Sequence, residues 1–85
     1  MAKQYIVGVQ VTDRMKNAPE LQKLLTKYGC NIKTRIGLHE VSGNVCASKG
    51  LVVLELIGPD KECNELIKKL GAIKGLNVKK MVFSR

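Results

Sequence analysis

The sequence predicts an α+β fold: a ferredoxin-like βαββαβ sandwich, with two helices on one face of a four-stranded antiparallel sheet. Two observations carry that reading. Apolar residues alternate or run on as in strands over Tyr5–Val11, Ile32–Leu38, Leu51–Ile57 and Leu76–Phe83, and recur at helical spacing over Leu21–Tyr28 and Cys63–Leu70. Their order is strand–helix–strand, twice in succession. A pseudo-twofold axis relating the halves puts strands one and three in the middle of the sheet and strands two and four at its edges.

In the first strand Tyr5, Val7, Val9 and Val11 share one face, and Ile6, Gly8 and Gln10 share the other. The valine face packs under the helices. Thr12 and Asp13 suit a helix start, because their side-chain oxygens accept hydrogen bonds from free backbone amides. Ala18, Leu21, Leu24, Leu25 and Tyr28 follow at helical spacing. Pro19 lacks an N–H and crowds the carbonyl four residues back. The helix therefore starts near Asn17, or starts at Asp13 and kinks. Gly29 is the expected stop.

The second strand is expected to place Ile32, Thr34, Ile36 and Leu38 toward the core and Lys33, Arg35, Gly37 and His39 outward. Residues 41–49 hold Ser42, Gly43, Asn44 and Ser48 and read as a turn or flexible hairpin loop. The third strand, Leu51 to Ile57, is almost continuously apolar, which implies cover on both faces. Val52, Leu54 and Leu56 meet the helices. Ile6, Leu51, Val53 and Ile57 then form an apolar patch on the far side, expected as an oligomer interface. Gly58-Pro59-Asp60 opens the second helix, whose buried stripe is Cys63, Leu66, Ile67 and Leu70. In the fourth strand Val78 and Val82 share one parity, Met81 and Phe83 the other, and the pattern leaves its faces open.

Residues 1–85 are read as a single domain. A chain this short buries about 60–65% of its unfolded surface, so association that covers more apolar area widens its stability margin. No segment is apolar enough to span a bilayer, and Met1-Ala2-Lys3-Gln4 leads into a strand without a signal-peptide core, so a cytoplasmic location is expected. The formal net charge is +8, which permits attraction to nucleic acid or acidic partners. Lys33, Arg35, Lys79 and Lys80 are the candidate basic surface for nucleic acid, and equally serve to discourage stray edge pairing. Tyr5, Tyr28 and Phe83 are too few for a base-stacking sheet face.

No catalytic constellation stands out. His39 and Glu40 are adjacent, so on a strand they point to opposite faces. No P-loop, H-E-x-x-H or Ser-His-Asp pattern occurs, and the stretch Val11 to Lys16 lacks the glycines of a phosphate-binding turn. An enzyme is not expected, and no cofactor is called for. Cys30, His39, Cys46 and Cys63 are metal-ligand types without ligand spacing, so no metal site is assigned. Thr12, Asp13 and Arg14 stand where a strand hands over to a helix N-terminus, a natural place for a small anionic ligand.

Val11-Thr12-Asp13-Arg14, Leu24-Leu25 and Tyr28-Gly29-Cys30-Asn31-Ile32 resemble the ACT-domain pattern. Tyr28-Gly29, Arg35-Ile36-Gly37-Leu38, Leu70-Gly71 and Gly75-Leu76-Asn77-Val78-Lys79 resemble, over nearly the whole chain, the iron-only hydrogenase system regulators. The resemblance implies an ACT-like fold and a regulatory role as an oligomer. A homo-oligomer with a small ligand or a regulatory protein as partner is expected, and, from the lack of a long apolar stretch, no membrane association. The carboxy-terminal domain of nickel-responsive regulators is similar in fold. Cys63 stands at a place comparable to its cysteine, but Glu55 and Ile57 stand where it carries histidines.

Overall fold

A computed structural model describes residues 3–12, 14–42 and 45–84 of the chain. The order is β1 (Lys3–Val11), α1 (Arg14–Lys27), a short 3-10 turn (Gly29–Asn31), β2 (Ile32–Ser42), β3 (Val45–Leu56), α2 (Asp60–Gly71) and β4 (Leu76–Ser84). The sheet order is β2-β3-β1-β4, and each adjacent pair is antiparallel. The ferredoxin-like, ACT-like architecture expected from the sequence is therefore the observed one, with β1 and β3 central.

The core follows from periodicity. Tyr5, Val7, Val9 and Val11 alternate along β1 and are all buried, against Leu54 and Leu56 of β3. From α1, Leu21 and Leu25 are buried and Leu24 is partly so, and Tyr28 just beyond its end is buried too. From α2, Cys63, Leu66 and Leu70 are buried and Ile67 packs beside them. Asp60 and Glu62 in the first turn of α2, and Lys68 and Lys69 in its last, match the helix dipole. Pro19 lies inside α1, so the helix starts early and continues past the missing N–H. Gly29 does not end α1 in a left-handed conformation; the chain tightens into the 3-10 turn, with Asn31 N donating to Tyr28 O.

Two expectations are corrected. A register shift between Ile32 and Thr34 inserts an extra residue into β2 and reverses the sides of Thr34 to Gly37. Ile36 now pairs with Val53 and is 51% exposed on the far face, and Thr34 joins it there. Arg35 pairs with the core residue Leu54, and Gly37 with Val52. Residues 41–42 and 45–49 are also strand rather than loop. β2 and β3 run on as a long hairpin, pairing Val41 with Cys46 and Ser42 with Val45. Gly43 and Asn44, and the side chains of residues 38–49, lie outside the described residues.

Two buried asparagines lock the two strand–helix corners in the same way. Asn31 Nδ2 donates to Ile57 O at 3.2 Å and to Glu62 Oε1 at 3.2 Å, while Ile57 N donates to Asn31 O at 2.7 Å. Asn17 Nδ2 donates to Lys74 O at 2.8 Å. Each asparagine presses against a glycine in the left-handed region: Gly58 at φ +106° and Gly75 at φ +96°. A Cβ at Gly75 would lie 2.7 Å from Asn17 Oδ1, and one at Gly58 would lie 2.7 Å from Asn31 Nδ2. Gly75→Ala is therefore expected to lower stability by about 1–3 kcal/mol in urea titrations. Gly37→Ala, with nothing within 4 Å of the added Cβ, is expected to change it little.

Candidate binding surfaces

Among the described residues, no element covers the far face of the sheet. Register places Ile6 and Gly8 of β1, Ile36 of β2, Leu51 and Val53 of β3, and Met81 and Phe83 of β4 on this side. Met81 is 56% exposed, Phe83 49% and Leu51 37%, while Ile6 and Val53 are half-buried by their neighbours. Polar pairs flank this band. Glu55 accepts from Gln4 Nε2 at 2.9 Å and from Thr34 Oγ1 at 3.1 Å, and Asn77 Nδ2 donates to Gln10 Oε1 at 3.3 Å. An apolar centre with a hydrogen-bonded rim is the usual make-up of a protein interface. Glu55 also explains how a carboxylate sits among apolar strands: both of its oxygens are hydrogen-bonded.

Of the four residues expected here, Ile6, Leu51 and Val53 come together. Ile57 does not share their register, because β3 ends at Leu56 and Ile57 turns toward Asn31. Sequence reasoning missed Ile36, hidden by the bulge, and left Met81 and Phe83 unassigned until pairing with Ile6 and Gln4 fixed their side.

The corner between β1 and α1 is tied to the opposite end of the chain. Thr12 Oγ1 donates to Gly75 O at 2.7 Å, and Thr12 N donates to the same carbonyl at 3.3 Å. Asp13 and the side chain of Arg14 lie outside the described residues. The candidate basic residues do not form one patch. Lys33 and Arg35 stand on edge strand β2, and Lys79 and Lys80 on the opposite edge strand β4, with two strands between them. Tyr5 and Tyr28 are buried, so Phe83 is the described aromatic ring on the open face.

A shallow groove of about 340 Å³ runs between the helices, lined by Glu20, Lys23, Leu24, Lys69, Ala72 and Ile73. The ammonium groups of Lys27 and Lys69 lie 5.7 and 5.3 Å from the Tyr28 ring centre. Among the described residues no three His, Cys, Asp or Glu side chains gather as a metal-ion site. Among them, too, no helix is long and apolar enough to cross a membrane.

The comparisons with known proteins agree with this geometry. The model of the TM1266-like family, described by the proposed role of iron-only hydrogenase system regulator, matches residues 3–80. The chain belongs to this family. Among solved structures, the uncharacterized protein TM1266 from Thermotoga maritima is 26% identical, with a TM-score of 0.83 over 99% of this chain and 100% of that one. The de novo designed protein Foldit4 shares the fold at 9% identity and a TM-score of 0.59, covering 100% of this chain and 99% of its own. CPII from Thiomonas intermedia K12, solved with ADP, AMP and acetate, shares it at 14% identity and a TM-score of 0.51, covering 98% of this chain and 90% of its own. No curated protein matches the chain.

Two buried acids set an alkaline limit. Burial, then the Asp60 and Glu62 carboxylates, pushes the Cys63 thiol up. Burial, then a hydrogen bond with Asp60, pushes the Tyr5 phenol up. Folded values above the unfolded ones mean that the unfolded chain releases these protons first. Stability is therefore whole below about pH 9 and falls above it, with Tyr5 adding to the loss above about pH 10. Thermal melts from neutral pH upward are expected to show that decline, and a flat profile would contradict it. Peptide-resolved alkylation is expected to label exposed Cys30 in the native protein and to reach Cys63 only in denaturant.

Proposed function

We propose that this chain is a small oligomeric regulatory module, transcriptional or metabolic, that acts by binding a small ligand or another protein. The observation that carries the reading is the apolar, polar-rimmed far face of the sheet, which the chain's own helices do not cover. Membership of a family described as regulators supports the regulatory half.

The ligand in this reading meets the corner at Thr12, Asp13 and Arg14. The Thr12 hydroxyl has spent its single proton on Gly75 O and keeps lone pairs that can accept a hydrogen bond. A ligand anchored there would reach β4 through the same carbonyl. No catalytic step belongs to this reading; function rests on occupancy and assembly.

The test is native mass spectrometry of protein purified gently from its own cells, paired with sedimentation at micromolar concentration. A mass above that of one chain, with or without a retained metabolite, is expected. A strictly single chain at every concentration would remove the proposal.

A further inference from the structure

We infer that the far face is covered by a second copy of this chain, stacked sheet on sheet about a two-fold axis that runs parallel to the strands between β1 and β3. This rests on the self-association proposed above and specifies the surface and the fit.

The first support is a socket. Gly8 stands at the centre of the face, paired with Val53 on one side and Lys79 on the other. Its missing side chain leaves a groove of about 290 Å³, lined by Ile6, Gly8, Val53, Lys79, Lys80 and Met81. A Cβ at Gly8 would meet only Leu51 Cδ1, at 3.9 Å, so the floor of the groove is open. The proposed axis lays β1 of each copy over β3 of the other at the same level. Each Val53 then descends on the other copy's Gly8, and the contact is self-complementary, as a two-fold interface requires.

The second support is where the charge lies. Two chains of net charge +8 repel unless they meet on a face that turns their cations away. Among the described residues, register puts Glu55 and Lys79 on the far face, with Lys80 reaching the groove from the edge. Lys23, Lys27, Lys61, Lys68, Lys69 and Lys74 lie on the helices or beside them and point outward in the stack. The axis lays β4 of each copy over β2 of the other. The two Lys79-Lys80 pairs then sit about 15 Å apart or more, from strand and sheet spacings, well beyond the screening length of about 8 Å at physiological salt. Nucleic acid needs the reverse, a face rich in cations, and is a poor occupant here.

The third support is size. Four strands spaced about 4.8 Å apart and about 30 Å long offer on the order of 550 Å² per copy. A pair then buries about 1,100 Å², just past the roughly 1,000 Å² that a specific interface needs.

The experiment is sedimentation velocity of the wild type, Gly8→Leu and Val53→Lys at low and high salt, with and without duplex DNA, with circular dichroism melts to establish folding. The wild type is expected to associate with an affinity that changes less than about threefold across salt, since little charge is buried. Both variants are expected to dissociate at least about tenfold more readily. Gly8→Leu places a side chain in the socket, where its Cβ makes only an ordinary contact; if it melts early, Val53→Lys alone decides. Oligomers that persist in folded variants would overturn this surface and leave the regulatory oligomer standing. A wild type that is a single chain throughout would remove both. Association that appears only with added duplex DNA would overturn the second copy as occupant.

Discussion

Everything in this fold depends on the burial of one face of β1. Tyr5, Val7, Val9 and Val11 meet the leucines of α1, α2 and β3 in a single apolar layer, and β1 is hydrogen-bonded on both sides. Each fully buried aliphatic side chain contributes about 1.5–3 kcal/mol. Both helices are spent on that one face, and among the described residues no other element covers the far one. The far face is thus a direct result of how a short chain distributes its hydrocarbon. Its apolar, exposed make-up follows from the same constraint as the core.

The fold was largely legible in the sequence because its main signals are periodic. The alternation of β1 and the stripe Cys63, Leu66, Leu70 of α2 fix both elements and their inward sides. What escaped was set by pairing rather than by pattern. A single inserted residue at Lys33 reverses the sides of Thr34 to Gly37, and nothing in a local run of alternating residues announces a bulge. Residues 41–49 carry turn-forming types, yet ladder hydrogen bonds to the facing arm hold most of them in strand.

The candidate surface was half legible. Ile6, Leu51 and Val53 follow from parity alone, whereas Ile36, Met81 and Phe83 require the register of neighbouring strands. Gly8 gave no signal beyond its lack of a side chain, although that lack shapes the groove. The four basic residues stand on the two edge strands, as the strand order read from the sequence places them, and the sheet's width separates one pair from the other.

The pairing of β1 bears on how the chain is made. Val9 is synthesised early, but its neighbours are Val52 and Val78, and the Asn17 clamp waits for Lys74. β1 therefore has no strand partner until β3 has emerged, and its second side stays open until β4 follows. During that interval the nascent segment is a natural client for chaperones that hold extended apolar peptides. Pairing on both sides of β1 becomes possible only after nearly all of the described chain has emerged.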